Sequence, residues 1–189
     1  MTRTFLAAVL VGLLAGCGFT TPTTVGPSTK VITLQPGHFN VTSTVSGDCW
    51  TTSIASSRKD AFRCMVGNEI NDPCFVQNKL AVLCPNDLPS RNATLINLTA
   101  PLPAALPGSA APAQGSIWQM KLAAGNLCGV STGAGIADYP YGCTGNLFCT
   151  YPTGPVAGQY RAQCGPLDNT PVMPVVTKAK EHPVAIIWR

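Results

Sequence analysis

Gly47 to Phe75 reads GDCWTTSIASSRKDAFRCMVGNEINDPCF, and its cysteines decide how the rest of the chain folds. Cys49, Cys64 and Cys74 fall at gaps far wider than the C-x₂₋₄-C pairs that tetrahedral zinc requires. Downstream the set continues with Cys84, Cys128, Cys143, Cys149 and Cys164, whose shortest gap is Cys143 to Cys149. Eight widely spaced cysteines in an exported chain read as four disulfides, with no metal site. Spacing alone leaves 105 pairings open. Four cysteines precede the central Pro/Ala stretch and four follow it, so each half is expected to close its own pairs.

Within the quoted stretch, Asp60–Ile70 (DAFRCMVGNEI) is predicted to begin as a helical turn capped by Ser57 or Asp60. The Val66-Gly67-Asn68 step would end it, and Asn71-Asp72-Pro73 reads as another turn. Phe75–Leu83 alternates as a single strand would, and Asn92–Leu98 is a further strand candidate. Upstream, Val31–Val45 mixes β-branched residues with Thr and Ser and reads as one or two short strands. Ser116–Ala123 (SIWQMKLA) places Trp118, Met120 and Leu122 on one face of a strand. Two closing strands are expected at Val172–Val176 and Val184–Trp188. With 18 glycines and 17 prolines in 189 residues, turns and short strands are favoured over long helices. The expected fold is mainly β: a small disulfide-stapled exported domain, or two, with short strands, long loops and little helix.

The N-terminus supplies the address. Arg3 precedes Phe5–Ala15, an unbroken run of apolar or small residues, which is the layout of a signal peptide. As a helix at about 1.5 Å per residue it falls well short of the roughly 30 Å hydrocarbon core. The run ends in Leu14-Ala15-Gly16-Cys17, which looks like a bacterial lipobox. The expected organisation is a signal peptide at 1–16, a lipidated and disordered tether at 17–35, a first Cys-rich half at 36–99, a Pro/Ala linker or loop at 100–115 and a second Cys-rich half at 116–189. The tether expectation rests on Phe19–Lys30 (FTTPTTVGPSTK), whose Thr/Pro/Ser composition buries too little to offset its ordering entropy. Lipid on Cys17 would hold the chain on the extracytoplasmic face of the cell membrane. Twelve basic against eight acidic residues, with no basic run interleaved by aromatics, give nucleic-acid binding no support.

No nucleophile motif is present: there is no G-x-S-x-G, no H-E-x-x-H and no S-x-x-K with its partners. His38 and His182 sit in loop-like settings, and Gly133-Ala-Gly135 lacks the context of a dinucleotide loop. No cofactor is expected. Asp48, Asp60, Glu69 and Asp72 surround the first cysteines, and a facing pair among them is what a carboxylate-dependent glycan hydrolase would need. The density of costly residues there admits two readings. In one, Arg63 pairs with Asp60 or Asp72 and the cysteines pin the loops, making a structural knot. In the other, Trp50, Arg63, Asn68 and Glu69 line a polar pocket with an aromatic wall, suited to a cell-wall glycan, a peptide or another envelope protein.

The quoted stretch, together with Trp118-Gln-Met-Lys-Leu-Ala-Ala-Gly-Asn-Leu-Cys128, Thr132-Gly133, Tyr141-Gly-Cys143 and the apolar end at Trp188, resembles a family of uncharacterised secreted proteins and lipoproteins from actinobacteria and cyanobacteria. The resemblance spans 41–189; with the lipobox and Thr/Pro segment the whole resembles a mycobacterial-type lipoprotein. It implies no catalytic or ligand residues, because that family carries no activity to transfer. The chain departs from the pattern at Gln159-Tyr160, where a tryptophan is expected. The sequence therefore favours a non-enzymatic binding or structural module at the cell wall, with the glycan hydrolase as its alternative.

Overall fold

A computed structural model describes residues 26–104, 117–132, 136, 138–170 and 173–189. The expected signal peptide, Cys17 and the chain up to residue 25, residues 105–116, Gly133-Ala-Gly135, Ala137, Pro171 and Val172 lie outside the described residues. After β1 (Lys30–Ile32), the first half holds β2 (Asn40–Thr52), β3 (Ala61–Val66), β4 (Glu69–Asn78), β5 (Ala81–Asp87) and β6 (Asn92–Leu98). The second half holds β7 (Gln119–Leu122), β8 (Leu127–Val130), β9 (Tyr141–Cys143), β10 (Leu147–Cys149), β11 (Thr153–Val156), β12 (Gln159–Asp168), β13 (Val175–Val176) and β14 (Lys180–Trp188). Among the described residues the helical content is one 3₁₀ turn, Pro36–His38. The mainly β, disulfide-stapled fold read from the sequence is the fold observed.

Strands β2 to β6 form a closed barrel in chain order. Each successive pair is antiparallel, whereas β2 and β6 close the ring in parallel. Five strands impose this, since in an up-and-down series of odd number the first and last run the same way. β2 serves both neighbours in turn: Asn40 to Gly47 pair with β6, and Asp48 to Thr52 pair with β3. The handover falls at Gly47, where a Cβ would collide with the Met65 carbonyl oxygen. Only glycine lets the two backbones approach so closely.

Period-2 alternation fills the barrel and coats it. Phe62, Cys64, Cys74, Val82, Cys84 and Ile96 point inward, while Ala61, Phe75, Leu83 and Ala93 point outward, and both sets are buried. The outward set is covered by Trp118 and Trp188 from the second half and by Leu34. The Phe75 and Trp118 rings lie 5.0 Å apart at 39°. Burying Phe75 completely contributes about 2 kcal/mol. The halves thus have a core each and share a third between them.

The eight strands of the second half and β1 form a nine-stranded sheet in which β12 also pairs with β14. Its pairings run β14-β7-β8-β9-β10-β12 and return to β14, a ring of six in which every pair is antiparallel. Its interior holds Met120, Leu122, Tyr141, Ala162, Val184 and Ile187 with four cysteines around them. β1 lies parallel to the end of β14, Lys30 opposite Ile186 and Ile32 opposite Trp188.

The disulfides are Cys49–Cys64, Cys74–Cys84, Cys128–Cys143 and Cys149–Cys164, two in each half as the even split predicts. Three join residues directly opposed on neighbouring strands, and Cys74 and Cys84 flank the opposed pair Phe75 and Leu83. Each stabilises by about 2–4 kcal/mol.

Four local expectations are corrected. Asp60–Ile70 does not start as a helical turn; residues 61–66 are β3, because barrel pairing with β2 and β4 outweighs the local capping preference. Asn71-Asp72-Pro73 lies inside β4, not in a turn. There the register shifts so that Asp72 and Pro73 together oppose Arg63, and this bulge absorbs the proline, which has no N–H for the ladder. Phe75–Leu83 is not one strand: Lys79-Leu80 reverses the chain, with Asn78 Oδ1 accepting the Leu80 N–H at 2.8 Å. Finally, the tether expected to residue 35 ends sooner. From residue 26 the described chain is docked, with Thr29 donating to the Val184 carbonyl at 2.6 Å and Leu34 3% exposed.

Candidate functional site

Two irregularities in the β2–β3–β4 ladder build the surface around Trp50. Cys49 opposes Cys64 and Thr51 opposes Arg63, so Trp50 is the extra residue of a bulge in β2. Bulges re-aim side chains, and the Trp50 indole stands 41% exposed. The second irregularity is the one that sets Asp72 against Arg63. Arg63 Nε lies 3.4 Å from Asp72 Oδ2, and the Asp72 side chain is fully buried. The guanidinium also donates to the Thr132 carbonyl of the second half and lies 5.3 Å from the Trp50 ring centroid, a cation–π distance.

Asp72 is tied further into the loop that follows β2. Ser53 donates its hydroxyl to one carboxylate oxygen, and the Ile54 N–H donates to the other at 3.1 Å. The Ser53 oxygen in turn accepts the N–H groups of Ala55 and Ser56 at 3.0 and 2.9 Å. Burial pushes the Asp72 carboxyl above the usual carboxylate range, against the hydrogen bonds and Arg63, which pull it down. Removal from water therefore outweighs the pairing, the usual balance for a buried ion pair. Asp60 is occupied elsewhere, receiving Arg58 at 2.9 and 2.7 Å. The Arg58 hydrogen bond is what holds its carboxyl below the usual range. Of the two sequence readings, the structural knot describes Arg63, with Asp72 as its partner.

Trp50 lines a shallow groove of about 380 Å³ with Ser46, Gly47, Asp48, Met65, Gly67 and Thr99. The Thr99 hydroxyl donates to Asp48. Structure thus brings Trp50 and Arg63 together but leaves Asn68 and Glu69 at the exposed β3–β4 turn, away from the lining. Both were expected in one pocket with Trp50, and they are not there because Gly67 turns the hairpin before them. Met65 and Thr99 were missed. Met65 reaches the groove only through its pairing opposite Asp48, which spacing along the chain does not reveal. Asp48 is the one carboxylate in the lining, with Asp60 and Asp72 each engaged by its own arginine.

Two sulfur groups, Cys64/Cys74/Cys84 and Cys128/Cys143/Cys149, have sulfurs within 4.8 Å of one another. Each of these sulfurs is already bonded in a disulfide and offers no thiolate for a metal. His38 Nδ1 accepts the Gln35 N–H at 3.3 Å, and His182 lies in β14 opposite Ala162. No helix among the described residues is long and apolar enough to cross a membrane. No family model matches this chain, and neither a curated protein nor a solved structure does.

Proposed function

We propose that this chain is a lipid-anchored extracytoplasmic module that binds a cell-wall glycan through the Trp50 groove and breaks no bonds. One observation carries the reading: an indole held outward on a bulge, beside an arginine tied to Asp72 and the Thr132 carbonyl. Such a fixed aromatic face suits the C–H face of a sugar ring, at low cost in side-chain entropy. Beside it the Asp48 carboxylate and the hydroxyls of Ser46 and Thr99 offer acceptors and donors for ring hydroxyls. The lipobox at Leu14–Cys17 and the resemblance to secreted proteins and lipoproteins support the location, with lipid on Cys17 as the membrane attachment. A hydrolase would need a second carboxylate across from Asp48, and the described lining holds none.

The test is titration of soluble peptidoglycan and arabinogalactan fragments into the chain, followed by calorimetry. Trp50→Ala should weaken binding at least about tenfold, the scale of a lost aromatic hot spot, with the fold retained. Equal binding by wild type and Trp50→Ala sinks the reading, and turnover of either substrate would replace it with the hydrolase. For the address, Cys17→Ser should move the protein from the membrane to the soluble fraction; unchanged membrane retention would refute the lipid anchor.

A further inference from the structure

A second cleft opens where the two halves and β1 meet. It encloses about 290 Å³ between Thr33, Leu34 and Gln35 after β1, Ser56 and Arg58 in the β2–β3 loop, Trp118 ahead of β7 and Arg189 after β14. None of these residues lines the Trp50 groove. Junctions between packed units are where small-molecule sites concentrate, and the volume sits near the lower end of their range.

The floor is apolar, made by Leu34 and the Trp118 ring, both nearly inaccessible at 3% and 5%. The rim is basic. Arg58 is already neutralised by Asp60 and lies 5.2 Å from the Phe75 ring centroid. Arg189 is different. Its backbone is fixed, its N–H donating to Ile32 at 3.0 Å and its carbonyl accepting from Leu34 at 2.8 Å. Its guanidinium is paired with no carboxylate among the described residues. The indole Nε1 of Trp118 is buried with no acceptor among the described residues. A buried donor without an acceptor is costly to keep, and it marks the packing around Trp118 as incompletely satisfied.

We propose that this cleft binds a small amphiphile with a carboxylate head, a free fatty acid in its simplest form. The carboxylate sits on the Arg189 guanidinium and the acyl chain runs over Leu34 and the Trp118 ring. Charge complementarity selects the acid over a neutral lipid: the Arg189 guanidinium meets no carboxylate side chain among the described residues, and the lining brings no acidic side chain. The site is independent of the glycan reading and stands or falls without it.

Titration of the full chain with sodium decanoate, read by the ¹H–¹⁵N signals of its indoles, tests the assignment. A saturable shift of the Trp118 indole signal is expected, with decanol binding about tenfold or more weakly and Arg189→Gln weakening decanoate by a similar factor, as loss of one charge-assisted hydrogen bond implies. Arg189 is exposed, so the variant keeps the fold. No saturable shift at Trp118, equal affinity for decanol and decanoate, or unchanged decanoate binding in Arg189→Gln would each overturn the proposal. A shift confined to Trp50 would also overturn it, by placing the amphiphile in the other groove.

Discussion

The first half closes five strands and the second closes six, and parity accounts for most of what distinguishes them. Five alternating strands leave the ends parallel, so β2 and β6 must pair in the same direction, and β2 grows to 13 residues to reach both neighbours. Six alternating strands meet antiparallel, and β12 and β14 close the second ring that way. Despite this, both halves solve the same problem alike. Each has a long strand that changes partners, β2 or β12, and each places a glycine at the change. Gly165 of β12 lies under the chain between β13 and β14, where a Cβ would collide with the Thr177 carbonyl oxygen. Each half also lays two disulfides across four neighbouring strands, in the order first to second and third to fourth. The lesson is that cross-strand disulfides and a glycine at the handover suit a small closed sheet of either parity.

The sharpest way to break the comparison is at the joint. Trp118→Ala should cost about 3–5 kcal/mol, the range for a large aromatic removed from a core. It should also split thermal unfolding, seen by calorimetry, into two transitions, because Trp118 carries contact between halves that otherwise have their own cores. A single, merely shifted transition would mean that the halves are not separable units. Smaller effects are expected at the handovers. Gly47→Ala and Gly165→Ala should each destabilise by about 1–3 kcal/mol by overpacking against a backbone carbonyl, measured by denaturant unfolding. Similar losses at both sites support the parallel; a neutral result at either would show that closure there tolerates a side chain.

The smallest effect is electrostatic and belongs to the first half. Asp60 is held below the usual carboxylate range by Arg58, so its contribution is present above that range and is lost as pH falls through the lowered folded value. Asp72 has the opposite sign. Its carboxyl is raised by burial, so the folded state is relieved, not weakened, as pH falls through that value. In Asp60→Asn the drop in melting temperature below the usual carboxylate range should shrink by an amount worth about 0.5 kcal/mol, since the two side chains are 33% and 40% exposed and screened. A larger change would mean that Asp60 carries more than a surface pair.

The cysteine arithmetic, the mainly β class, the strand at Asn92–Leu98 and the density of chemistry around Trp50 and Arg63 were all legible in the residues. Strand β3, the bulge at Asp72-Pro73 and the reversal at Lys79-Leu80 were not. Each depends on pairing: alternation runs unbroken through a tight reversal, and a bulge shows only when the opposite strand is in place. The groove shows the same division. Trp50 was visible as a costly residue, whereas Met65 and Thr99 join it through ladder register, and Asn68 and Glu69 leave it because the hairpin turns first.

Sequence by itself determined the count and halving of the disulfides and the preference for strands, because composition and local spacing act over a few residues. Tertiary structure alone decided the parity of each ring, the partner of Arg63, the docking of residues 26–35 and the cleft that joins Trp118 to Arg189. Those are contacts between residues far apart in the chain, set by which strands meet and in which register, and no local pattern records them.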